Sequence, residues 1–73
     1  MAAVRAEVRE HVGQAVDALP EKLRIVTVLA AIEGHDIAEV AALLDLPEGT
    51  VKSRLYLARR TLAEKLRWLA SDM

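Results

Sequence analysis

Between Asp36 and Arg60 the chain reads DIAEVAALLDLPEGTVKSRLYLARR, and this run limits the fold more than any other feature. Ile37, Val40, Ala41 and Leu44 recur at helical spacing and form one apolar stripe on a short helix. Asp36, with Glu39 three residues on, makes a capping-box pair that satisfies early backbone donors. A turn at Asp45–Leu46–Pro47 ends that helix, and a second, longer one starts near Glu48. Its core stripe is Val51, Leu55, Ala58, Leu62, Leu66 and Leu69, a narrow arc when ~100° per residue is counted.

Two more helices precede this pair. Residues 3–18 place Val4, Val8, Val12, Ala15 and Leu19 on one stripe. Pro20 suits the first position of the next helix, where its missing N–H costs nothing. That helix runs to about residue 33 and stops at Gly34. No β-type alternation, internal repeat or low-complexity linker interrupts the pattern. The expected fold is all-α: a four-helix domain, helices about 3–18, 21–33, 37–44 and 48–70, containing a helix-turn-helix with a long C-terminal recognition helix.

The 73 residues make one domain at most. A chain of this size buries only about 60% of the surface its unfolded form exposes, so partners often help to stabilise it. There is no cysteine, hence no disulfide framework and no thiolate metal site, which suits a reducing cytosol. The longest apolar stretch, Ile25 to Ile32, is interrupted by Thr27 and falls far short of the roughly 20 residues that span a bilayer. Arg5, Glu7, Arg9 and Glu10 stand where a signal peptide needs an apolar core. A cytoplasmic domain with no membrane contact is expected.

Net charge is only −1, which argues against a generic polyanion binder. The charge is unevenly distributed. Residues 1–47 hold four basic side chains against eight acidic ones, a balance of −4. Residues 48–67 hold six (Lys52, Arg54, Arg59, Arg60, Lys65 and Arg67) against Glu48 and Glu64, a balance of +4. Such a segment is either an ordinary solvated helix face or an electrostatic footprint for phosphates. With the core stripe turned inward, the opposite side of the last helix presents Lys52, Ser53, Tyr56 and Arg60, with Arg54 and Arg59 on its flanks. Lys and Arg engage guanine O6 and N7, and Ser or Thr bonds bases or phosphates. Tyr56 can pack against sugar or a thymine methyl, and free N–H groups near Glu48 to Thr50 can receive a phosphate, although Glu48 opposes that with its carboxylate.

Little else suggests chemistry. Glu33, His35 and Asp36 cluster around Gly34, but adjacent loop residues seldom converge on one ion, and no second cluster adds ligands. His11 and Glu7 make a helical pair rather than a catalytic dyad. Ser53 has no histidine in helical register, and no Gly-rich phosphate loop exists. Neither an enzyme, nor a cofactor, nor a metal, nor a small-molecule substrate is expected.

Several marks taken together resemble a known family: Leu19–Pro20–Glu21, Glu33–Gly34, Ile37–Ala38–Glu39–Val40–Ala41, and Pro47–Glu48–Gly49–Thr50–Val51–Lys52–Ser53–Arg54–Leu55. They resemble region 4 of the extracytoplasmic-function (ECF) group of bacterial sigma factors, over nearly the whole chain from about Val12 to Arg67. The resemblance implies binding of the minus-35 promoter element, in double-stranded DNA, through the second helix of the helix-turn-helix. By position, Lys52, Ser53, Arg54 and Tyr56 correspond to the base-reading group, and Thr50, Arg59 and Arg60 to phosphate contacts. Two departures stand out. Many relatives carry Arg where this chain has Leu57, and its loss removes a DNA contact. Relatives also commonly have Gly at the position of Asp45, a turn that favours a left-handed backbone; Asp tolerates that conformation better than most residues.

Helix two is more apolar than one buried face requires. Leu23, Val26 and Ala30 fit an inner stripe, while Ile25, Val28, Leu29 and Ile32 spread around the other side. Either helix one covers part of this surface, or it is an interaction site. The resemblance supplies two occupants, the flap-tip helix of the RNA polymerase β subunit and an anti-sigma factor. Leu57 and Trp68 lie off the core stripe of helix four and can extend such a surface; Trp68 can instead close the bottom of the core. Two functions are therefore expected of the chain: promoter recognition, or a protein-interaction module with negligible DNA affinity of its own. A complete sigma factor of this group also carries a region 2 that melts the minus-10 element, and no segment here can take that role. The chain is thus either an excised domain or an unusual stand-alone protein, and alone it should not initiate transcription.

Overall fold

The structure, a computed structural model, describes residues 2–67, with side-chain surroundings for residues 7–67. Helix α1 spans Ala2–Asp17, α2 Glu21–Thr27, a π turn Val28–Ile32, α3 Ile37–Leu44 and α4 Glu48–Lys65. The all-α expectation holds, and no strand occurs among the described residues.

Among the described side chains of α1, packing is confined to its C-terminal end. Ala15, Val16 and Leu19 are buried, whereas Val8 on the expected stripe is 36% exposed and Val12 is half-buried. The molecule measures 39 × 22 × 18 Å, with a radius of gyration of 13.4 Å. A compact chain of this length would have about 11 Å, so α1 extends the body in one direction. At its end the Leu19 N–H donates to the Val16 carbonyl at 3.0 Å, and the Arg24 guanidinium donates to the Asp17 carbonyl at 3.3 Å. Pro20 is the cap residue of α2 (φ −52°, ψ 146°), one position earlier than expected. Its carbonyl accepts from Leu23 and Arg24, both at 2.9 Å.

The second helix departs from the sequence expectation. It is α-helical only to Thr27, and the next five residues form the π turn. The Glu33 N–H donates to the Val28 carbonyl, five residues back, at 2.9 Å, and the His35 N–H reaches the Leu29 carbonyl at 3.0 Å. Gly34 between them has φ +80°, a left-handed value that glycine adopts without steric cost. The wider turn carries one residue more than an α-turn, so the apolar stripe is re-aimed beyond Thr27. Leu29 and Ala30 pack against the core, and Ile32 ends up 65% exposed. Thr27 itself is buried, with its Oγ1 donating to the Leu23 carbonyl at 2.8 Å.

The hinge of the helix-turn-helix follows local rules. Asp36 caps α3 through the full reciprocal box with Glu39. At the other end the Leu46 N–H donates to the Ala41 carbonyl (3.0 Å) and the Asp45 N–H to the Ala42 carbonyl (3.4 Å). That pair of bonds is a Schellman ending, which needs a left-handed residue at its corner. Asp45 supplies it at φ 54°, ψ 50°, as the sequence led one to expect. Leu46 then tucks against the core.

The core sits where α2, α3 and α4 meet. Val26, Val40 and Val51, one from each helix, are fully buried, with Ala41 and Leu55 beside them and Leu29, Ala30, Ile37, Leu44 and Leu46 around the edge. Burying each valine stabilises the fold by roughly 1.5–3 kcal/mol. α4 packs most extensively on α2 and α3 and lightly on α1. It leaves regular helical geometry at Leu66 (φ −103°, ψ 12°), and Arg67 beyond it is again helical; the expected end at residue 70 lies outside the described residues. Residues 68–70, including Trp68 and Leu69, lie outside the described residues.

Candidate nucleic-acid interface

Helix α4 builds the candidate interface because one of its faces is committed to the core. Val51, Leu55 and Ala58 are buried at i, i+4 and i+7. The stripe roughly opposite consists of Ser53, Tyr56, Leu57 and Arg60, all exposed, Tyr56 at 62% and Leu57 at 50%. Lys52 and Arg59, also exposed, form a parallel row along one edge. Each row spans eight residues, ~10 Å of helix, close to the rise of three base pairs. No hydrogen bond or ion pair among the described residues occupies Lys52, Ser53, Arg59 or Arg60, so their donors face outward.

The start of α4 adds backbone donors. Pro47 stands at the cap with no side-chain bond, and its carbonyl accepts from Thr50 (3.0 Å) and Val51 (3.2 Å). The Thr50 N–H, expected among the free donors, is therefore engaged. Those of Glu48 and Gly49 remain for an outside acceptor. Glu48 puts a carboxylate in the same turn, which favours the helix and competes with any anion there. Thr50 is half-buried, one turn before Arg54.

Arg54 does not share the outer stripe. It is half-buried and lines a groove of about 220 Å³ together with Glu21, Lys22, Ile25, Leu44 and Leu46. Of the expected protein surface, the structure brings only Ile25 to this groove among the described residues. Val28 is half-buried, and Leu29 is turned to the core, a correction that follows from the π turn. Ile32 is exposed, and Leu57 stands on the outer stripe of α4. Trp68 lies outside the described residues. Sequence reasoning missed Leu44 and Leu46 as groove residues, because both also count as core. It also missed Leu43, 60% exposed, which a 100° step from the buried stripe would have found.

Residues 9–62 match the family described as Sigma-70, region 4. The chain belongs to that family. Among its curated relatives is the ECF RNA polymerase sigma-E factor of Escherichia coli K12, 38% identical over 60 residues, which are 82% of this chain and 31% of that protein. The sigma-E factor of Salmonella typhimurium LT2 gives the same figures. The ECF RNA polymerase sigma factor SigW of Bacillus subtilis 168 is 36% identical over 66 residues, 90% of this chain and 35% of SigW. The chain thus spans about a third of the length of these relatives and corresponds to the region 4 portion of ECF sigma factors.

In this region 4 chain the cluster at Gly34 is a brace. His35 Nε2 lies 3.4 Å from Glu33 Oε1, and Nδ1 lies 3.7 Å from Glu39 Oε2. The Asp36 carboxylate is spent on the cap of α3. Among the described residues no three acidic or histidine side chains are grouped to hold a metal, and no helix is long and apolar enough to cross a membrane.

Proposed function

We propose that this chain recognises the minus-35 element of promoter DNA by laying α4 in the major groove, within a sigma factor that directs RNA polymerase in the cytoplasm. The observation that carries the reading is the outward, unpaired row of Lys52, Ser53, Arg59 and Arg60 around Tyr56 on a helix whose other face is fixed by the core. Lys and Arg head groups match guanine O6 and N7 or phosphates, and Ser53 can donate to either. Recognition is noncovalent and uses no cofactor.

The groove beside Arg54 favours a protein partner on the other side of the same helix. Its apolar floor of Ile25, Leu44 and Leu46 lies under charged rims from Glu21, Lys22 and Arg54, which suits an amphipathic helix. In this reading the polymerase flap docks there, and an anti-sigma factor covers the surface to silence the protein.

Titration of the 73-residue chain against a duplex library with randomised minus-35-like sites, at low and moderate salt, tests the DNA arm. Selective binding that weakens steeply with salt supports it. Absence of selection at low salt overturns it for the isolated chain and leaves the groove as the working surface.

A further inference from the structure

Leu57 is 50% exposed and lies on the outer stripe of α4, at the edge nearer Arg54, one turn after Ser53 and one turn before Arg60. It is not among the residues that line the groove at Arg54. An apolar side chain here is half exposed and takes no part in the core. Its surroundings are hydroxyl and guanidinium groups, so an apolar protein surface placed on it would bury charge without a partner. A DNA major groove presents the opposite combination: phosphates and base acceptors for Arg60, Arg59 and Ser53, and among them one apolar group, the thymine C5-methyl.

We propose that Leu57 is a specificity-determining residue that reads a thymine methyl in the bound site, in place of a hydrogen-bonding contact. The assignment rests on the DNA-recognition reading and deepens it. Leu57 cannot accept from or donate to a base, so it discriminates only by contact, favouring a methyl-bearing pyrimidine and disfavouring bare polar edges. Tyr56, 62% exposed and about 100° away around the helix, is the competing candidate for the contact. The Thr61 hydroxyl donates to the Leu57 carbonyl at 2.9 Å and so spends its proton within the helix.

The test replaces thymine by uracil in the duplex selected by the full chain, one position at a time, which deletes the methyl and preserves every hydrogen-bonding group. At one position the parent chain is expected to bind roughly fourfold more weakly, the fold-change equivalent to one buried methyl group. Leu57→Ala should lose a similar factor on the thymine duplex and show no further loss on the uracil duplex. Tyr56→Ala should keep the thymine preference. Indifference to uracil at every position, additive losses in Leu57→Ala, or loss of the preference in Tyr56→Ala alone would each overturn the assignment and leave DNA recognition standing. No selective duplex binding by the parent chain would overturn both.

Discussion

Asp36 and Glu39 cap each other. The Glu39 N–H donates to Asp36 Oδ1 at 2.8 Å, and the Asp36 N–H donates to Glu39 Oε1 at 3.0 Å. This reciprocal pair fixes where α3 starts, directly after the left-handed Gly34, and so sets the helix-turn-helix on α2. Asp36→Ala is expected to destabilise the domain by about 1 kcal/mol. In a thermal melt followed by circular dichroism this is a fall of roughly 4–8 °C. An unchanged melt would show that the box adds nothing beyond solvent hydrogen bonds.

Asp45 sits at the corner of the turn with φ 54°. A non-glycine residue pays about 1–2 kcal/mol there, Asp less than most, and Gly pays it only as chain entropy. Asp45→Gly should therefore raise the melting temperature by a few degrees, and Asp45→Val should lower it. The reverse order of the two variants would contradict the left-handed corner.

Val26 has no exposed surface, and its position in α2 is away from the outer stripe of α4. Val26→Ala removes two carbons and leaves a cavity, a loss of about 2 kcal/mol. Against a total of roughly 4–11 kcal/mol for a chain of this length, the midpoint of urea unfolding should drop clearly. A drop as small as that of an exposed site would place Val26 outside the core.

Lys52→Glu and Ile25→Glu separate the two surfaces. Lys52→Glu is expected to lower affinity for the selected duplex about tenfold or more, while leaving binding to polymerase or an anti-sigma factor near that of the parent. Ile25→Glu should do the reverse, since Ile25 lines the groove and not the outer stripe. Equal loss of both activities in either variant, with an intact melt, would mean one shared surface.

Much of this architecture is legible in the sequence where the signal is local. The capping box and the buried row Val51–Leu55–Ala58 depend on residues within one or two turns of each other, while the left-handed corner at Asp45 came from the family resemblance. The π turn is not legible. Nothing in the run from Val28 to Ile32 prefers five-residue hydrogen bonds, and packing of Leu29 and Ala30 on the core selects them. For the same reason Leu29 was expected on the surface and is found against the core. Burial along α1 was misjudged because periodicity shows which side is apolar and not how far a neighbour reaches; Val8 has the right phase and little to pack on. On α4 the phase was right for Ser53, Tyr56 and Arg60, while Lys52 shares an edge row with Arg59. Arg54 was placed on a flank, but that the flank is a groove depends on α2 and on the end of α3, both distant in sequence.

The π turn also has a genetic meaning. The π turn closes the helix that begins with α2 and holds one residue more than an ordinary turn would. Between Val28 and Ile32 this chain should therefore accept a one-codon deletion: the helix reverts to ordinary pitch, and Gly34 and the start of α3 keep their places. Anywhere in α4 the same deletion would rotate every later side chain by ~100° and scramble the row that faces outward. Length variation in such domains should thus be concentrated in this one turn and scarce in α4.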